Sequence, residues 1–421
     1  MAWENLAPSR RNSLALLVGL SLAWAALVIA GALLTNFDEP YLPFAIAGVT
    51  AFFLRATPSR WEIYAWLASS ALFVKVIHVP QIPFWLLRVA SSFALLGFGA
   101  LLVLGLRALW SGGETRENAL VLLTPALILI LFIFVTGRML RVSAGMSPET
   151  DDAWLYAFDG SLGFQPSFLV GRIMRNSIVL TRSALLTYLS LPFAMAIVCA
   201  WTIPRAARRL SWHMLTVLLA AGIAGCLLYN VIPGTGPTYA FGQDFPWKSI
   251  PYKDLSTFAL RTMSLPLTIP RNAMPSLHVG WVILLWWNSR GFPMVLRVLL
   301  ILYVCLTVVA TLGLGQHYLV DLVVSLPFAL AVQSATSYVL PGRLRRIPAF
   351  IAGVGLTAAW LLCVRFGVSW ALKSPALPWT LILATALITF WLESEIWKRN
   401  PTGGGRGDVS VGLPKMARTL H

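Results

Sequence analysis

The sequence predicts an all-α polytopic membrane protein of about 12 transmembrane helices. Two observations carry that class. Apolar residues make up 58% of the 421 positions and charged residues only 11%, against about 25% charged in soluble domains. The apolar residues also gather into runs of about 20, the length needed to cross a bilayer, separated by Arg-rich or Pro/Gly-rich breaks.

The runs fall at approximately 14 to 35, 41 to 55, 61 to 78, 83 to 107, 119 to 137, 184 to 203, 212 to 233, 277 to 289, 293 to 313, 317 to 340, 347 to 367 and 376 to 397. The first is longer than the apolar core of a signal peptide and lacks a small-residue cleavage pattern, so it reads as a span. Cys199, Cys226, Cys305 and Cys363 lie inside apolar runs, without the paired spacing of a zinc site or disulfide framework.

A formal charge of +16 would suggest nucleic acid in a soluble chain. Here the basic residues cluster between apolar runs, as cytoplasmic loops require, so a nucleic-acid partner is set aside. With the N-terminus inside, Arg10 and Arg11, Arg55 and Arg60, Arg107 and Arg116, Arg205 to Arg209, Arg290 and Arg297, and Arg343 to Arg346 fall on the cytoplasmic side. The opposite short connections at 36 to 40, 79 to 82 and 314 to 316 have no Lys or Arg. Both termini are therefore expected in the cytoplasm, in an integral protein suited to a bacterial inner membrane.

Two long non-spanning stretches, 138 to 183 and 234 to 276, then lie on the outer face. The first holds Asp151, Asp152 and Asp159 and the turn-rich stretch Phe158 to Ser167, and is expected to form short amphipathic helices in the interface. Four regions result: a five-span module (1 to 137), an extracytoplasmic amphipathic segment (138 to 183), a catalytic domain (184 to 397) and a disordered cytoplasmic tail (398 to 421). The Arg406-Gly407-Asp408 triplet in that tail is a chance tripeptide.

Of five His residues, His278 and His317 sit where a span begins on the outer side. Ionisable groups at span ends are seldom there for packing. His317 and Asp321 are four apart, which on a helix puts both on one face, the carboxylate holding one ring nitrogen and the other pointing outward. Ser276 is a helix start, and a helix N-terminus binds phosphate; Arg271, just upstream, is expected to add a bidentate contact. His78 reads as an interface residue, His213 lies on the cytoplasmic side and His421 belongs to the tail. Trp281, Trp286 and Trp287 line an acyl-chain groove or simply pack.

The run Met274, Pro275, Ser276, Leu277, His278, followed by His317, Tyr318 and Asp321, resembles the type 2 phosphatidic acid phosphatase superfamily. The segment Tyr229 to Pro237 resembles the inositol phosphorylceramide synthase branch. The resemblance implies a six-helix catalytic bundle in which His317 is a phosphorylated nucleophile, Asp321 orients it and His278 is acid and then base. Arg271 and Ser276 would bind phosphate, and Tyr318, Tyr229 and Arg261 would line the substrate. Expected partners are the bilayer, a lipid phosphate or phospholipid substrate, and an alcohol or water acceptor, with no cofactor and no metal. The chain departs from the phosphatase pattern at two places. Lys253 and Arg261 have the wrong spacing for the family's Lys-to-Arg-Pro motif, and Thr311 stands where an Arg is expected. Fewer cations suit a phosphodiester better than a dianionic monoester, which favours head-group transfer over simple phosphate release.

Overall fold

The computed structural model describes residues 40 to 76, 85 to 204, 212 to 337 and 343 to 398. The expected first span, His78 and the tail beyond Lys398 lie outside the described residues. The chain divides into two compact units, one made of residues up to 134 with 189 to 211, the other of 135 to 188 with 212 onward.

Among the described residues six helices are long and apolar enough to cross a membrane, as an integral membrane protein requires: Ser92–Trp110, Gly113–Met146, Met294–Gly313, Leu319–Thr336, Arg345–Phe366 and Ala376–Trp397. A seventh is reached if Ile178–Leu189 and Leu191–Thr202 count as one broken span. The expected run at 184 to 203 is interrupted because Ser190 ends one helix just before Pro192 occupies the first turn of the next. Three other expected spans form only shorter apolar helices, Leu42–Arg55, His213–Leu228 and Leu277–Trp287.

In the first unit, Leu42, Ile46, Phe73, Ala94, Leu95 and Phe98 form a buried cluster. Helix Leu191–Thr202 packs on Leu42–Ala47 and Val49–Arg55, and Arg55 Nε donates to the Ile203 carbonyl at 2.7 Å. Residues 189 to 211 thus belong to this unit, although the sequence places them in the region from 184 onward.

The second unit is built around Leu319–Thr336, which packs against His213–Leu228, Leu277–Trp287, Arg343–Phe366 and Ala376–Trp397. A central helix must be apolar on every side, and nearly all of Val320 to Thr336 is buried. Trp281 and Trp287 pack here as well: Trp281 Nε1 donates to the Leu218 carbonyl at 3.1 Å and Trp287 meets Phe390 edge-on.

The segment 138 to 183 departs most from expectation. Helix Gly113–Met146 runs into it, followed by Asp152–Gly160 and Pro166–Arg175. Asp152–Gly160 is expected to lie in the interface, but nearly all of it is buried within the protein. Leu155, Tyr156, Ala157 and Phe158 are buried in one core with Phe168, Phe245, Met274, Tyr318 and Val324. A two-residue antiparallel pairing, Glu149 with Ser264 and Thr150 with Met263, ties this segment to the loop before Arg271.

Candidate active site

The site forms where three loops meet within the second unit. Gly236 and Gly315 both have positive φ, +92° and +67°, a conformation that suits glycine. A Cβ on Gly236 would come within 2.3 Å of the Gln316 carbonyl oxygen and one on Gly315 within 2.6 Å of the Phe245 ring. Only hydrogen at these positions lets the 234 to 237 loop lie against the chain leading into His317, where Thr238 N–H donates to the Gly315 carbonyl at 2.9 Å. The Ala273 N–H in turn donates to the Gly234 carbonyl at 2.9 Å, which draws in the third loop.

His317 lies one residue before the N-cap of Leu319–Thr336, not on the helix. Its relation to Asp321 is therefore not that of two residues on one helical face. The Nδ1 atom is 2.9 Å from the Ala273 carbonyl oxygen and 3.6 Å from Asp321 Oδ2. A carbonyl can only accept, so Nδ1 carries the proton and the Nε2 lone pair is the reactive one. Nε2 is buried and has no hydrogen-bond partner among the described residues. Asp321 Oδ2 accepts the Tyr318 N–H at 2.8 Å, so this carboxylate first caps its own helix and acts on the imidazole electrostatically.

His278 is the second residue of Leu277–Trp287, whose N-cap is Ser276. Its ring stacks on Tyr188, with centroids 3.8 Å apart and planes at 14°. The His278 and His317 ring centroids are 6.4 Å apart. Ser276 makes no side-chain cap bond; its N–H donates to the Asp321 carbonyl and its carbonyl accepts from Ser325 Oγ at 2.8 Å. Its own Oγ is buried without a partner among the described residues.

Four expected site residues are placed otherwise. Arg271 is fully buried and spends all five N–H donors on backbone carbonyls: Nε on Ser147, Nη1 on Pro266 and Ile269, Nη2 on Pro148 and Leu265. It clamps a loop, and no donor is left for phosphate. Tyr318 is buried and donates its hydroxyl to Asp152 Oδ1 at 3.0 Å, so it is not a substrate-lining side chain. Arg261 is exposed on the loop before Met263, and nothing ties it to either His. Tyr229 is buried at the end of His213–Leu228, its hydroxyl paired with the Leu277 backbone. Thr311 turns its hydroxyl to the Val308 carbonyl.

Sequence reasoning missed Tyr188, Asp152, Asp159 and Ser167. Asp152 accepts from the Thr235 and Gly236 N–H groups, the Thr235 hydroxyl and Tyr318. Burial pushes its carboxyl above the usual carboxylate range despite these donors. Asp159 accepts from the Leu319 and Val320 N–H groups, and burial pushes it up to about 8. A usable signal was present: carboxylates are scarce in this chain, 16 in all, and three of them sit within nine residues of an apolar stretch, where burial demands partners.

What the arrangement offers is a buried lone pair, a second imidazole facing it and a free hydroxyl at a helix start. Comparison with curated proteins and with solved structures returned no match. Residues 153–335 match the family model described as PAP2 superfamily, a stretch that takes in Asp159, Ser167, His278 and Asp321. Over these residues, less than half of the chain, the protein is similar to that superfamily.

Proposed function

We propose that the protein transfers a phosphate-containing head group between lipids through a phosphohistidine, as in the inositol phosphorylceramide synthase branch. The observation that carries this is the 6.4 Å separation of the two rings, with His317 Nε2 buried and unpartnered. Rings this close can both reach one phosphoryl group, one at phosphorus and the other at the departing oxygen.

In the first step His317 Nε2 attacks phosphorus, the N–P bond forms and the P–O bond to the departing alcohol breaks. His278 gives that oxygen its proton. The phosphorylated ring is cationic, with Nδ1–H still held by Ala273 and the Asp321 carboxylate nearby to stabilise the charge. In the second step His278 takes the proton of an acceptor hydroxyl, which attacks phosphorus and releases His317. Thr311 in place of a cation, and Arg271 committed to carbonyls, leave little positive charge for a dianionic monoester, which supports a phosphodiester donor. In this reading the site faces the periplasmic side of a bacterial inner membrane, with both termini cytoplasmic.

The second reading, hydrolysis of a lipid phosphate or polyprenyl diphosphate, uses the same residues with water as acceptor. Full-length protein assayed in micelles with phosphatidylinositol, with and without ceramide, separates the two. Transfer predicts a new phospholipid that depends on ceramide; phosphate release from phosphatidic acid without any new phospholipid overturns it in favour of hydrolysis. Either way His317→Ala is expected to lower turnover more than about 1,000-fold, and turnover surviving in a folded variant removes His317 as nucleophile.

A further inference from the structure

The stretch Phe158 to Ser167 has no role in the chemistry above, yet it is built onto the nucleophile. Asp159 Oδ2 accepts the Leu319 N–H at 2.6 Å and Oδ1 accepts the Val320 N–H at 2.9 Å. These are the first two amides of the helix that follows His317. Ser167 Oγ donates to the carbonyl of His317 itself at 2.9 Å. Both side chains are almost completely buried. The turn between them is locked in its own right: Gln165 Nε2 donates to the Tyr156 carbonyl at 2.9 Å, and a Cβ on Gly160 would lie 2.6 Å from that same nitrogen.

Helix-end amides attract anions. With a protein carboxylate already seated on Leu319 and Val320, that end cannot take substrate phosphate. What the two bonds do is fix the backbone on the C-terminal side of His317, while Ser167 fixes its carbonyl. Together they leave the His317 backbone little freedom to rotate, and the Ala273 carbonyl then sets the ring. Two amides bonded to the two oxygens of one buried carboxyl group hold that backbone more firmly than a single bond would.

We infer that Asp159 and Ser167 are positioning residues for the nucleophile, holding the His317 backbone so that Nε2 stays aimed at the phosphorus. The inference rests on His317 being the nucleophile, as proposed above. Neither residue touches the substrate, so their loss should lower kcat and leave KM nearly unchanged, because a misplacement of about 1 Å can cost on the order of 100-fold in rate.

The test uses full-length Asp159→Asn, Ser167→Ala and His317→Ala proteins in micelles. Phosphatidylinositol with ceramide and phosphatidic acid are the two probe substrates, and the melting temperature is followed in parallel. Asp159→Asn is expected to lower kcat about 10- to 100-fold and Ser167→Ala about 3- to 10-fold, with KM within about threefold and folded protein at the assay temperature. Ser167→Ala deletes one hydroxyl and keeps the test open if Asp159→Asn does not fold. Unchanged kcat in folded variants overturns the inference alone, as does a rise in KM at constant kcat, which would mean substrate contact. No turnover of either probe by the unsubstituted protein, or turnover surviving in His317→Ala, overturns the underlying reading instead.

Discussion

The helix that follows His317 and the helix that carries His278 begin in opposite ways. At Leu319–Thr336 the end is closed by carboxylates, Asp159 on the first two amides and Asp321 on the N-cap amide. At Leu277–Trp287 the first turn holds no acidic residue, no side chain of the N-cap closes it, and the Ser276 hydroxyl is buried and unpartnered among the described residues. Both ends carry the same partial positive charge. In the proposed reaction the two ends do different work: the closed end anchors the nucleophile, and the other is left for the anion of the substrate.

The largest expected effect comes from making the two ends alike. Ser276→Asp would place a carboxylate where the open end meets phosphate, and kcat/KM should fall about 100-fold through like-charge repulsion. A variant with unaltered kcat/KM would show that phosphate does not use this end. Ser276→Ala, which removes only a hydroxyl, should raise KM by about three- to tenfold.

A second way to sharpen the contrast concerns the loop that leads into the open end. Arg271→Ala would leave five carbonyls without their donor, a loss of about 2 to 4 kcal/mol in stability. Thermal unfolding measures it directly. If Arg271 instead bound phosphate, KM would rise while stability held.

The smallest effect is electrostatic. Burial, with a lesser contribution from Asp321, holds Asp159 up to about 8, while the Leu319 and Val320 amides pull the other way. The folded chain therefore keeps a proton that the unfolded chain loses near 3.8. The stability this gives is fully present below that value and is lost as pH rises through about 8. The melting temperature should decline over that window, and Asp159→Asn should flatten the decline; an identical slope in both proteins would argue that Asp159 is ionised throughout.

How much of this was legible in the chain depends on the reach of each signal. Helices Met294–Gly313 and Ala376–Trp397 lie close to their expected positions, because an apolar run with charged or Pro-containing flanks is a local pattern. His278 and His317 stood out for the same reason, as rare ionisable groups at span starts. The clamp made by Arg271 is not legible locally, because its partners lie both nearby, at Leu265, Pro266 and Ile269, and far off, at Ser147 and Pro148. A cation beside a helix start reads as a phosphate ligand until those carbonyls are seen. The turn residues and charges of 138 to 183 predict an interfacial segment, yet Asp152 and Asp159 are buried against amides and a hydroxyl some 80 to 170 positions away.

By itself the sequence determined the solvent this chain is built for, the placement of its long apolar helices and which ionisable residues stand at helix starts. Each of these is set by composition or spacing within one short window. Only the tertiary structure decided which helix end is closed and which is open, that Tyr188 backs His278, and that Ala273 sets the tautomer of His317. Those outcomes depend on backbone groups, which every residue carries alike and which acquire meaning only when distant segments meet.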